Sequence, residues 1–144
     1  MTIREATIED GPALAKLRWD FSDQDEAFEA FAERFALFWA DAVTSWTVWV
    51  AERERGIVSN MWLFPVPKVP RPGQRAKAYG YLTNVYTHPD ERNSGIGAAM
   101  LERIVAWARD REFEAIYVSP SEESVSFYER CGFAWSKDWM EIVF

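Results

Sequence analysis

The sequence predicts an α/β domain built on a mixed sheet. Two observations carry this. Stretches rich in β-branched and aromatic residues alternate with apolar stripes at helical spacing. Late in the chain, strands enter and leave a helix over residues 95–109, which calls for parallel pairing through a right-handed crossover.

The elements follow in order. "TIREAT" alternates apolar and polar residues and reads as a short strand. Thr7 and Asp10 form a capping-box pattern, followed by Ala13, Leu14 and Leu17 at helical spacing. A second helix, capped by Ser22, carries the stripe Phe28, Phe31, Phe35, Phe38 and Trp39, with Asp25, Glu26, Glu29 and Glu33 off it. "WTVWVAE" and "GIVSNMWLF" read as a hairpin turning near residues 53–56. "PVPKVPRPG" holds four prolines, which cannot donate to a central ladder, so it is expected to be a loop or a sheet edge. Its Pro67 and Pro70 have PxxP spacing, read here as a stiff connection. "AKAYGYLTNVYTH" is the next strand, ended by Pro89. The helix after it places Ile96, Met100, Leu101, Ile104 and Ala108 on one face. "EAIYVSP" is a strand, and "SEESVSFYERCG" is a helix with Ser121 as cap and Gly132 as stop. "FAWSKDWMEIVF" is expected to close the chain as one or two strands.

Composition narrows the function. The 144 residues fit one domain, 1–144, with ample apolar material at 49%. Lys and Arg number 16 against 23 Asp and Glu, and the net charge of -7 argues against nonspecific nucleic-acid binding. It suits a cationic substrate, although a solvated acidic surface explains it too. The single cysteine, Cys131, permits no intramolecular disulfide and no metal-ligand spacing. The start, "MTIREATIEDG", lacks a signal peptide's apolar run, and nothing approaches the roughly 20 apolar residues of a membrane span. A cytoplasmic protein without metal or membrane partner is the expectation.

The most informative stretch is "HPDERNSGIGAAM". It sets glycines at a bend between strand and helix. The first amides of a helix lack intrahelical partners and carry partial positive charge, so such a bend binds anions. Gly97-Ala98-Ala99 lacks the Lys-Ser/Thr of a Walker loop, and "SGIGAAML" narrowly misses the dinucleotide fingerprint.

The spacing Arg92-x-x-Gly95-x-Gly97 resembles the pyrophosphate-binding motif of the GNAT superfamily of N-acetyltransferases. "NVYTHPDER" is similar to that family's splayed strand and following turn, and "SVSFYERCGF" to its Phe-Tyr-Glu-Arg-x-Gly-Phe helix. The order of elements agrees along nearly the whole chain. It departs at Asn93-Ser94, where the family often has Gly-Lys or Gly-Arg.

The resemblance implies a centrally splayed sheet flanked by about four helices, and transfer of an acetyl group from acetyl-coenzyme A to a primary amine, with no metal. It places the cofactor against Val85, Tyr86 and Thr87, with its pyrophosphate on the amides of Arg92, Asn93, Ser94, Gly95, Ile96, Gly97 and Ala98, and with Ser121 near the pantetheine arm. Tyr128 matches the family's general acid. Thr83 and Asn84 stand where a carboxylate base often lies and cannot take a proton at neutral pH. Asp20 and Glu52 are weak substitutes. His88 is read as a surface residue and Cys131 as an inert thiol. Trp39, Trp46, Trp62, Phe64 and Tyr81 could wall an aromatic acceptor pocket, and Glu29 or Glu33 could attract a cation, though core and surface roles account for each. Homodimers are common in the family. The alternative reading is a non-catalytic acyl-coenzyme A-binding or sensing module of the same fold.

Overall fold

The computed structural model describes residues 1–75 and 77–144. Five strands form one sheet in the order β1-β2-β3-β4-β5. They are β1 Thr2–Glu5, β2 Thr47–Arg53, β3 Gly56–Pro67, β4 Ala78–Thr87 and β5 Ile116–Val118. The helices are α1 Gly11–Asp20, α2 Phe28–Ala42, α3 Ile96–Asp110 and α4 Val125–Arg130. The first four strands pair antiparallel, and β5 lies parallel to β4 beyond the α3 crossover, so the sheet is mixed.

Alternation along the central strands builds two cores. Trp49 and Ala51 of β2, with Met61 and Leu63 of β3, pack with Ile96, Met100, Leu101 and Ile104 of α3 and with Tyr128 of α4. Val48, Val50 and Trp62 point the other way, onto Leu14, Phe35 and Trp39 of α1 and α2. Side chains with period two on a strand thus meet stripes with period 3.6 on helices at both faces. Each fully buried Leu or Ile contributes about 1.5–3 kcal/mol.

The anchor of α1 is local. The Thr7 N–H donates to Asp10 Oδ2 at 2.7 Å, and Arg4 of β1 grips both Asp10 oxygens at 2.8 and 3.0 Å. Sheet, turn and helix are joined at one carboxylate.

Two expectations are corrected, at Ser22 and in the closing segment. Ser22 does not cap the second helix, which starts at Phe28 with Ala27 before it; the Ser22 hydroxyl instead donates to the Arg18 carbonyl at the end of α1. The first two prolines take the sheet-edge alternative: β3 runs through Pro65 and Pro67, paired with Gly80 and Ala78. The ladder tolerates them because β2 ends its pairing at Leu63, leaving β3 with a neighbour on one side only. The closing segment forms no strand. Residues 134–144 adopt no regular structure, and Met140 is 98% exposed. Among the described residues, no helix is long and apolar enough to cross a membrane, and no cluster of metal-binding side chains occurs.

Candidate active site

The sheet opens between β4 and β5. Their pairing covers only Gly80–Ile116, Tyr81–Tyr117 and Leu82–Val118, so β4 has no neighbour on that side from Thr83 onward. On its other side the register slips, Trp62 facing Thr83 but Asn60 facing Tyr86. Asn84 and Val85 stand opposite Met61 alone, one residue in excess, and Asn84 takes φ +48°. This is a bulge, which bends the strand and increases its twist. A buried asparagine secures it. Asn60 Nδ2 donates to the Asn84 carbonyl at 3.3 Å while its Oδ1 accepts from Trp62 Nε1 at 2.8 Å. From α1, Arg18 donates to Asn84 Oδ1 at 3.2 Å.

The opening leads into a cleft of about 980 Å³. Val85, Tyr86, Thr87, Arg92, Asn93, Gly95, Ile96, Gly97, Ala98 and Ser121 all line it, as does Tyr128. Ser94 does not. Its hydroxyl closes the preceding turn on the Glu91 carbonyl at 2.5 Å. The N–H groups of residues 93–98 find no acceptor among the described residues, and the first intrahelical bond of α3 runs from the Ala99 N–H to the Gly95 carbonyl. The loop reaches this shape through left-handed Asn93 at φ +59° and Gly95 at +81°. Asn93 thus replaces a glycine at a position with positive φ, as its tolerance of that region allows.

The two glycines serve different ends. Gly95 is required by its φ. Gly97 is helical, and a Cβ there would lie 3.0 Å from Phe127 Cζ. Its bareness therefore admits the Phe127 ring.

Neighbouring charges hold the loop. Glu91, just before it, receives Arg53 at 3.1 Å and Arg55 at 3.2 Å from the β2–β3 hairpin. Arg92 Nε donates to the Thr87 carbonyl at 2.9 Å, and its guanidinium lies 5.5 Å from the Tyr86 ring centroid. Tyr86 also stacks with Phe21, ring centroids 4.9 Å apart.

Tyr128 is 6% exposed and packs edge-on against Phe127 and Phe133. Burial, reinforced by nearby Cys131, pushes its phenol up to about 12. It therefore keeps its proton at neutral pH. Burial also raises the Cys131 thiol, which suits an inert group rather than a thiolate nucleophile.

Tyr128 also borders a second chamber of about 620 Å³, and Val118, Ser119 and Pro120 are likewise common to both. Phe64 and Tyr81 line this chamber. The other candidate aromatics take their core role instead. Trp39 and Trp62 are buried in the α1–α2 core and Trp46 packs on it. Glu29 and Glu33 are exposed on α2 and border neither cavity. Asp20 pairs with Lys16 and Glu52 with Arg4, both away from the cavities. His88 caps the short turn Pro89–Glu91, its Nδ1 accepting from the Asp90 N–H at 3.3 Å, and it too lies outside both. Ser121 stands at the N-cap position of the turn Glu122–Ser124 ahead of α4, but its Oγ accepts from no main-chain N–H and donates instead to Ser124 Oγ.

Arg18, Phe21, Phe127 and Arg130 also line the cleft, and the sequence reading had not marked them for it. Their positions depend on how α1 and α4 cross the sheet, and no local spacing signals that.

The order of strands, the bulge and the bare amides match a known pattern. The model of the acetyltransferase (GNAT) family fits residues 12–133. This chain belongs to that family. It is similar to an aminoglycoside N(6')-acetyltransferase type 1 of Stenotrophomonas maltophilia, 30% identical over 142 residues, covering 92% of this chain and 85% of the relative. A glucosamine 6-phosphate N-acetyltransferase of Trypanosoma brucei brucei is 31% identical over 77 residues, 54% of this chain and 50% of that one. Among solved structures, a Clostridium acetobutylicum protein crystallised with acetyl-CoA superposes with a TM-score of 0.78 at 23% identity, over 99% of this chain and 95% of that one. The GNAT chain described here is thus an N-acetyltransferase, with the mixed, splayed sheet of its family.

Proposed function

We propose that this GNAT enzyme transfers an acetyl group from acetyl-CoA to the primary amine of a small molecule, with Tyr128 as general acid. The carrying observation is the position of Tyr128, which borders both cavities at the end of β5. One cavity is fitted for an anionic carrier, and the other is free for an acceptor.

The fit to the carrier rests on the bare N–H groups of residues 93–98 at the mouth of the cleft, with Arg18, Arg92 and Arg130 in its walls. Those amides would hold the pyrophosphate. The unpaired edge of β4 at Val85, Tyr86 and Thr87 would take the pantetheine arm as an added strand, with Ser121 opposite.

Bound acetyl-CoA supplies an activated acyl carbon. A neutral amine forms the new C–N bond as the C–S bond breaks. Tyr128 gives its phenolic proton to the departing sulfur, and the proton shed by the nitrogen restores the phenol. The balance is one amide and one free thiol per turnover. A phenol held up to about 12 enters this step fully protonated at neutral pH. Small-molecule amines are the acceptors that the names of the two curated relatives indicate.

The test is thermal melting with acetyl-CoA, followed by detection of free thiol across an amine panel. Stabilisation together with amine-dependent thiol release is expected. No stabilisation by acetyl-CoA would overturn the reading.

A further inference from the structure

The two cavities that share Tyr128 differ in charge. The cleft has Arg18, Arg92 and Arg130 in its wall beside Glu91 and Glu123, and Glu91 is already paired with Arg53 and Arg55. The second chamber has no Lys, Arg or His among its lining residues, and its charged groups are Glu129 and Glu141. Its walls are aromatic. Tyr79, Tyr117 and Trp139 meet edge-on, with ring centroids 5.4 Å apart for Tyr79–Tyr117, 5.7 Å for Tyr79–Trp139 and 4.7 Å for Tyr117–Trp139. Trp139 comes from the irregular segment after α4, so residues that form no strand still build a wall.

We propose that this chamber is the acceptor site and that it selects an amine joined to a flat apolar ring. The inference rests on the acetyl-transfer reading above and names the substrate class of its site. An ammonium is drawn in by two carboxylates and by aromatic faces, and it gives up one proton to solvent before the neutral amine attacks. A ring gains from stacking against Tyr and Trp beyond the area it buries. A phosphorylated aminosugar would bring an anion beside Glu129 and Glu141 with no cation to meet it. The chamber therefore differs in chemistry from what a phosphorylated aminosugar requires.

Acceptors are compared by thiol release with acetyl-CoA: 2-phenylethylamine and tryptamine against hexylamine, glucosamine 6-phosphate and kanamycin. The aryl amines are expected to show at least about tenfold higher kcat/KM, the order of one good aromatic contact. Trp139→Ala should raise KM for 2-phenylethylamine by about the same factor, Trp139→Phe should restore it, and stabilisation by acetyl-CoA should be unchanged in both. Preference for glucosamine 6-phosphate or kanamycin, or equal use of hexylamine, overturns the proposal and leaves acetyl transfer standing. Titration calorimetry with 2-phenylethylamine in the presence of coenzyme A gives a readout independent of turnover. Heat of binding that Trp139→Ala abolishes supports the site, and its absence in the unmutated protein overturns it.

Discussion

The Phe127 ring occupies the space that a side chain on Gly97 would need, with Cζ 3.0 Å from an ideal Cβ. This contact joins the first turn of α3, which carries the bare amides, to α4, which carries Tyr128. The substitution Gly97→Ala adds helix propensity, worth up to about 1 kcal/mol, but displaces Phe127, whose ring packs edge-on against Tyr128. Melting should shift little, while kcat falls on the order of tenfold because a misplaced acid is a poor one. Combining it with Phe127→Leu should recover activity. A single variant with full kcat would show that the contact does not position Tyr128.

Tyr128→Phe removes the proton donor and keeps the ring. An expected loss in kcat of roughly 10²–10⁴ follows from the usual worth of general acid catalysis, with stabilisation by acetyl-CoA retained. The same residue predicts a pH effect. Its folded value, about 12, lies above the ordinary 10. Its contribution to stability is therefore complete below pH 10 and is lost as pH rises toward 12. Urea titrations of the Phe variant should show a weaker decline across that window than the unmutated protein. Equal declines would mean that Tyr128 is not held neutral by the fold.

Asn60 is the pin of the β4 bulge. Asn60→Leu leaves the Trp62 indole N–H buried without its acceptor, at a cost of about 1–3 kcal/mol. Because Asn60 also holds the Asn84 carbonyl, acetyl-CoA affinity should fall together with stability. Calorimetry decides this, and unchanged affinity in a destabilised protein would separate the bulge from the cofactor site.

Gly95 has no atom within 4 Å of an added Cβ, so a substitution there is resisted only by φ +81°. Gly95→Ala should cost about 1–2 kcal/mol, and Gly95→Asn less, since Asn tolerates the left-handed region. Chemical denaturation of the two variants measures the order.

Asp10 receives the Arg4 guanidinium, which holds its carboxyl below the ordinary 3.8. A lowered carboxylate stabilises the fold above its unfolded value, and that stability is lost as pH falls through the folded one. Asp10→Asn should lower stability at pH 7 by about 1–2 kcal/mol, as for other hydrogen bonds to a charged group. The gap in melting temperature between pH 7 and pH 3 should narrow. An unchanged gap would place the acid sensitivity elsewhere.

Much of the fold and of the glycine turn before α3 was legible in the chain. The α3 stripe, the capping pattern at Thr7 and Asp10, the crossover to a parallel β5 and the Arg92-x-x-Gly95-x-Gly97 spacing are relations between residues close in sequence. Backbone geometry converts such spacings directly into faces, caps and turns. The acceptor side was read less well. Trp39, Trp46 and Trp62 look like pocket walls in a string of letters, but they serve the α1–α2 core, because a Trp stripe has the same period whichever face it covers. The closing segment carries strand-forming residues but no strand, since β-pairing is decided by a partner edge and not by propensity.

The sequence by itself determined the order of elements as far as α4 and the glycine turn before α3, because each is written in local spacing, while Tyr128 as candidate acid came from the resemblance of its motif. Only the tertiary structure decided that Gly97 makes room for Phe127, that Asn60 holds the bulge open, and that Tyr79, Tyr117 and Trp139 meet around one chamber. Those contacts join residues far apart in the chain. Which of them form depends on how helices and strands pack, and that is settled by the shape of the whole core rather than by any one stretch of it.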